Sequence, residues 1–259
     1  MKKCGTGFVA GCAVAAGSLI GSDHALAGAD CARFAGAYLG GNVGYGWGRD
    51  TGGLWDSWTD VPGQPWTAYF AAGGNVLPGV KPQGVLGGGQ VGYNWQAANW
   101  VFGLVADIQA SDMSASASNT VFPPAFVGST QSNTSKIDWF GTVRGRVGYA
   151  ANNWLFYGTG GLAYGEVKST LTFNCFGCGS QSVFVGTTNA TNVGWAAGAG
   201  VEVGLTPHWT LGVEYLHIDL GSISTTTQWV AGNAVFLATH TANSAFAADM
   251  VRGMINYKF

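Results

Sequence analysis

A chain of 259 residues with 9% charged side chains, where soluble domains carry about 25%, cannot cover an ordinary surface with solvated groups. Its 43 glycines and 13% aromatic residues exclude both a helical bundle and a disordered glycine linker, and a formal net charge of −2 excludes the basic footprint of a nucleic-acid binder. Strands that face something other than water remain.

Residues 1–27 read as a secretory signal. Lys2 and Lys3 precede the small, apolar run Phe8–Ile20, and Ala25-Leu26-Ala27 offers a small-x-small cleavage site, with an alternative cut after residue 29. The run is shorter than the ~20 residues a spanning helix needs. Cleavage takes away Lys2, Lys3 and Asp23, leaving 9 basic against 12 acidic residues. Residues 28–36 then form a short periplasmic N-terminal segment.

From residue 37 the chain alternates with period two, the language of strands. Ala37–Gly48 sets Leu39, Val43, Tyr45 and Trp47 against Asn42 and glycines. Gln83–Trp95 sets Val85, Val91, Tyr93 and Trp95 against Gln90 and Asn94; Trp100, Phe102, Leu104 and Ile108 then oppose Asp107 and Gln109. In the fourth strand Ile137, Trp139, Val143, Val147 and Tyr149 share one parity, and Asp138, Thr142, Arg144 and Arg146 the other. The fifth, Trp154–Lys168, can be read in either parity. Val193–Leu205 places Glu202 in a column of glycines, and Trp209–Leu220 carries Glu214 but breaks its alternation at Leu216-His217-Ile218-Asp219. In the last strand, Ala245–Phe259, Met250, Arg252, Met254, Asn256 and Lys258 oppose Val251, Ile255, Tyr257 and Phe259. Evenly spaced Val-Gly pairs at Val91, Val147 and Val203, each followed by a turn and then Trp100, Trp154 or Trp209, mark a repeated hairpin.

Short turns near 98, 152 and 207 alternate with long connections near 49–82, 111–135, 172–191 and 222–244, rich in Ser, Thr, Asn and Pro. An even strand number with alternating short and long turns predicts an all-β fold: an eight-stranded antiparallel up-and-down transmembrane barrel over residues 37–259, with short periplasmic turns and long outside loops. Lipid cannot hydrogen-bond an open sheet edge, so the sheet must close. Its partners are then outer-membrane lipid and, during assembly, the insertion machinery. Tyr93, Trp95, Trp100, Tyr149, Trp154 and Trp209 beside the short turns form the inner interfacial girdle. Asp107, Arg144, Arg146, Glu202, Glu214 and Arg252 lie close to the short-turn end and are expected to share one lumenal layer of ion pairs. Eight strands leave just enough interior for side chains, so the lumen is expected to be plugged, against the alternative of a narrow charge-lined pore.

No catalytic set assembles: His208 and His217 lie at or beyond opposite ends of one strand, and His240 lies in another loop. Gly87–Gly92 matches a dinucleotide fingerprint by letters alone, with no helix following. No cofactor and no metal site is expected. Cys31, Cys175 and Cys178 remain after cleavage; Cys175-Phe-Gly-Cys178 admits a redox pair, half a metal site, two free thiols or a loop disulfide, of which the disulfide is preferred. Cys31, on the periplasmic side, cannot reach either partner across a ~25 Å apolar band. A second functional class, binding of a ligand or host partner by the loops, is carried by Trp55, Trp58, Trp66, Tyr69, Phe236 and His240.

Tyr257 and the terminal Phe259 resemble the signal read by the outer-membrane insertion machinery. Arg144-Gly145-Arg146-Val147-Gly148-Tyr149-Ala150 with Trp154–Gly165, Gly194–Glu202, Leu205–Leu211 and Val213–Gly221, resembles the outer membrane immunogenic proteins over residues 37–259, long loops excepted. The resemblance implies an eight-stranded barrel associated with envelope integrity and surface antigenicity. Some relatives are called porins or bind haemin, which makes haemin the candidate loop ligand. Cys175 and Cys178 depart from the family pattern.

Overall fold

The computed structural model describes residues 33–50, 55–58, 79–120, 128–176, 182–231 and 240–259. Nine strands account for nearly all of them: β1 Gly36–Asp50, β2 Trp55–Trp58, β3 Gln83–Ala97, β4 Trp100–Thr120, β5 Thr130–Ala151, β6 Trp154–Cys175, β7 Ser182–Gly204, β8 Trp209–Ala231 and β9 His240–Lys258. Neighbours pair antiparallel, and β1 pairs with β9 from Tyr38↔Lys258 to Asp50↔Phe246, closing a ring of eight strands. The ninth, short β2, pairs with β9 at Trp55↔Ala242 and Trp58↔His240, taking over that edge beyond the end of β1. The ring therefore pairs its own edges, as a sheet in hydrocarbon must.

The faces are inverted relative to a water-soluble barrel. Leu104, Ile108, Phe156 and Val193 are 55%, 57%, 56% and 70% exposed, whereas Arg144 and Arg252 are 1% and 0% exposed. A contiguous apolar wall of this kind is incompatible with a monomer in water and fits a lipid solvent.

Several local expectations change. The segments 111–120, 130–135, 172–175, 182–191, 222–231 and 240–244 are strand rather than loop. Ser, Thr and Asn weaken a strand only where they compete for its backbone; here the ladder continues, for example Ala115↔Ser135 to Thr120↔Thr130, and Gln131, Asn133 and Ser135 turn inward and are buried. A bulge between Ile137 and Trp139 separates two residues of equal parity. Ile137 enters the interior, Trp139 stays outside, and Asp138, expected to share the arginines' face, joins Lys136 and Lys168 on the outer wall. The ambiguous strand β6 resolves with Leu155, Tyr157, Ala163 and Val167 inside. Alternation does not break at Leu216–Asp219: Leu216 and Ile218 are buried, so what changes there is the polarity of the lumen, and the bulge follows between Asp219 and Ser222 at Gly221, φ +72°.

The signal segment 1–27, residues 28–32, Cys31, Cys178, Trp66, Tyr69 and Phe236 lie outside the described residues. For Cys175, Trp55, Trp58 and His240 only the strand assignment is described.

The short turns after β3 and β5 are built alike, with Ala98 at φ 53° and Asn152 at φ 55°. Left-handed backbone costs an alanine about 1–2 kcal/mol but is tolerated by asparagine. Ala98→Asn is therefore expected to stabilise the folded protein by about 0.5–1 kcal/mol, read as a higher urea midpoint in lipid vesicles with unchanged slope; a lowered midpoint refutes the turn assignment.

Candidate functional site

The strands carry two aromatic belts and, between them, a charged interior. At the short-turn end Trp100 meets Tyr149 edge-on at 5.6 Å, Tyr93 lies 4.8 Å from Trp95, and Trp209 lies 5.1 Å from Tyr257, which in turn meets Phe259 at 5.3 Å. Trp95, Trp100 and Trp154 are all about half exposed to the outside. Tyr257 and Phe259 thus also belong to this belt. A second belt was not anticipated: Trp47, Trp139, Tyr164, Trp195 and Tyr215 point outward further along the strands, with Trp139 against Tyr164 at 6.2 Å and Trp195 against His217 at 5.1 Å. Its sequence signal was the spacing itself. Tyr149 to Trp139 and Trp154 to Tyr164 each cover about ten residues, some 34 Å of strand or about 26 Å of height at a ~40° tilt, the thickness of the apolar band. Outward charges such as Lys136, Glu166 and Lys168 begin beyond that second belt.

Inside, the six expected charges form two linked groups. In the first, Asp107 Oδ2 accepts from Arg144 at 2.7 Å, Arg252 at 2.9 Å and the Thr142 hydroxyl at 2.9 Å, while Glu214 accepts from Arg144 at 3.1 Å and from Arg252 Nε at 2.8 Å. In the second, Arg146 pairs with Glu202 and lies 3.6 Å from the centre of the Tyr157 ring. Tyr157 joins the groups by donating to Glu214 at 3.2 Å. Three cations face three anions, all at most 5% exposed, so the layer is neutral as a unit.

Glycine makes the room for it. A Cβ on Gly200 would stand 2.4 Å from the Tyr157 hydroxyl, and one on Gly92 would stand 2.4 Å from that of Tyr38, so the rings occupy the space that side chains would fill on the neighbouring strands. Both are strand positions at which only glycine admits the close approach.

Two apolar clusters flank the charges. Towards the long-loop end Leu86, Met113, Phe140, Leu216, Ile218 and Met250 belong to one buried cluster. Towards the short turns Phe34, Val101, Ala150, Leu155 and Tyr157 form another. Phe34, in the segment before β1, is 2% exposed and held at both ends of its backbone: its N–H donates to Gln96 Oε1 at 3.1 Å and its carbonyl accepts from Asn94 at 3.1 Å. Lys258 donates to the Arg33 carbonyl at 2.7 Å and Arg33 donates to the Gly204 carbonyl at 3.3 Å, so this dipeptide ties β3, β7 and β9 across the mouth. Sequence reading missed it because a single Phe outside any periodic run carries no period. Among the described residues, cavities of about 10 Å³ lie beside Phe34, Glu202 and Asn256 and beside Arg144, Tyr157 and Glu214. Each is about the size of one water.

The remaining candidates stay apart. His217 is hydrogen-bonded to Asp249 at 2.7 Å on the outer wall, and His208 contacts the Lys258 carbonyl at 3.0 Å at the other end of β8. Among the described residues no group of three His, Cys, Asp or Glu side chains could hold a metal ion.

Breaking one buried pair leaves its partner's charge unmatched at a cost of about 3–5 kcal/mol, whereas replacing both by apolar groups is close to neutral. Arg146→Met or Glu202→Leu alone is expected to lower unfolding stability by that amount and the double variant to recover most of it, measured by urea unfolding in vesicles. Additive losses in the double variant refute the pairing.

The description "Outer membrane protein beta-barrel domain" matches residues 12–259. The 31 kDa outer-membrane immunogenic protein of Brucella melitensis is 34% identical over 236 residues, covering 89% of this chain and 85% of its own length. A 22 kDa outer membrane protein of Rhizobium leguminosarum is 36% identical over 137 residues, 52% of this chain and 53% of its own. The crystal structure of the outer membrane protein OprG from Pseudomonas aeruginosa aligns with 87% of this chain and 96% of its own at 13% identity, with a TM-score of 0.42. With a family match that spans the whole ring and a relative similar over nearly its full length, the chain belongs to the outer membrane protein beta-barrel domain family and resides in the cell outer membrane.

Proposed function

We propose that this protein is a non-enzymatic structural component of the outer membrane, a closed barrel that presents its long-loop end at the cell surface. The observation that carries this reading is the order of layers in the lumen: a neutral ion-pair layer held between an apolar cluster around Phe140 and Leu216 and a second around Phe34. An ion entering from either end must shed its water in an apolar layer before it meets charge that is already paired. The positions of His217 and His208, the histidines whose side chains are described, support the absence of catalysis, since His217 is engaged with Asp249 on the outer wall and His208 sits at the far end of the same strand. The outer-leaflet side extends well past the second aromatic belt in strands β4 to β8, a scaffold suited to display rather than to passage.

Refolded protein in planar bilayers is expected to give a conductance indistinguishable from lipid alone, and Phe34→Ala is expected to stay equally silent because the Phe140 layer is a second barrier in series. Discrete ion-conducting steps in the unaltered protein overturn the closed-lumen reading. For orientation, a tag inserted in the connection after Thr120 should be labelled on intact cells, and one between Asn152 and Asn153 only after permeabilisation; the reverse pattern refutes display of the long-loop end.

A further inference from the structure

The outer wall beyond the second belt is not uniform around the barrel. On β8, β9 and β1 it carries His217 and Asp249, with Arg49 nearby and the belt residue Tyr215 donating to Asp249. On β4 to β7 it carries a row set in register, Ser114↔Lys136, Lys136↔Lys168 and Lys168↔Asn189. Two lysines directly opposite each other on neighbouring strands repel, and here the bulge at Asp138 answers that repulsion. Asp138 accepts from Lys136 at 2.6 Å through one oxygen and from Lys168 at 2.5 Å through the other. Lys168 also reaches Glu166 at 3.2 Å, and Glu166 is fixed in turn by the Trp139 indole N–H at 2.8 Å. One carboxylate therefore holds two ammonium groups side by side, with side chains that remain 49% and 40% exposed. Of three N–H groups on each, Lys136 spends one on Asp138 and Lys168 two on Asp138 and Glu166, which leaves two donors on the first and one on the second.

Height and direction narrow the ligand. Lys136 stands three residues beyond Trp139 and Lys168 four beyond Tyr164, about 8–10 Å above the belt at a ~40° tilt, which is headgroup level rather than hydrocarbon. The row faces sideways, so the molecules in contact with it are those lying beside the barrel in the outer leaflet. Two residues further out, Ser116, Thr134, Thr170 and Thr187 form a second row in register, with the Thr170 and Thr187 hydroxyls 3.3 Å apart. Clamped ammonium groups below and a ladder of hydroxyls above match a phosphate attached to sugar. We propose that the β4–β7 wall is a binding site for a phosphorylated glycolipid of the outer leaflet, with Lys136 and Lys168 on the phosphate and the Thr134–Thr170–Thr187 row on the sugar. Binding then falls with ionic strength. The inference rests on the proposed orientation, with the long-loop end at the cell surface, and is independent of whether the lumen is closed.

The test uses the folded full barrel in zwitterionic detergent, with native migration on unheated gels to verify folding of every variant. Bis-phosphorylated lipid A is titrated and retention is read by native mass spectrometry, beside the same lipid stripped of phosphate and inorganic phosphate at equal concentration. Bis-phosphorylated lipid A is expected to be retained, and the stripped lipid to bind roughly thirtyfold more weakly, about fivefold for each lysine. K136Q/K168Q should lose the same factor towards the intact lipid and none towards the stripped one, while T134A/T170A should weaken both lipids. Unchanged affinity in K136Q/K168Q, or equal binding of intact and stripped lipid, overturns the site. Displacement by equimolar inorganic phosphate overturns it in favour of a free-anion site.

Discussion

Hydrocarbon offers no hydrogen-bond partner, and every N–H and C=O in the membrane must therefore find one in the chain itself. The β1–β9 ladder, running from Tyr38↔Lys258 to Asp50↔Phe246, is what satisfies this demand, since without it two strands would present open edges to lipid. Once the ring closes, alternation divides each strand between two solvents. Leu104, Ile108 and Phe156 must face lipid because Asp107, Arg144 and Tyr157 on the alternate positions cannot.

Closure also determines how the charges coexist. The interior of an eight-stranded ring is only wide enough for side chains from opposite walls to touch. Arg252 on the last strand therefore meets Asp107 on β4 as well as Glu214 on its neighbour β8, and Arg144 reaches the same two carboxylates from β5. Glycines facing Tyr38 and Tyr157 are the complement of this crowding, which accounts in part for their number in the chain.

The ring, its inverted faces and the identity of the charged lumenal residues were legible because they depend on period two and on turn length, both properties of sequence. What was illegible depends on departures from that period. The bulge at Ile137–Trp139 exchanges faces without changing composition, and Asp138 acquires its two lysine partners only through it. Compositional reading failed where Ser, Thr and Asn continue as strand, because a ladder paired on both sides does not need β-branched residues to persist. Phe34 was invisible for a different reason: its role rests on Gln96 and Asn94, and that of its neighbour Arg33 on Lys258, all distant in sequence and brought to the mouth by closure. The apolar lumenal layer was half visible, in that Leu216 and Ile218 were noted as breaking a pattern that they in fact continue with the opposite polarity.

Buried ion pairs add little net stability, because desolvation of both charges offsets most of their attraction. Their value here lies in register. Arg252 stands opposite Glu214 on one side and Gly44 on the other, and a Cβ at Gly44 would lie 2.7 Å from the Cβ of Arg252. A slip of β9 by two residues keeps its inward parity and its apolar outer face, so the lipid would not oppose it. It would, however, bring Met250 or Met254 opposite Glu214 and leave Glu214 and Asp107 short of a cation in an interior flanked by apolar clusters. An uncompensated buried carboxylate costs several kcal/mol, a large share of the stability of an ordinary domain. The hydrocarbon thus requires that the ring close, and the charges decide in which register it does so.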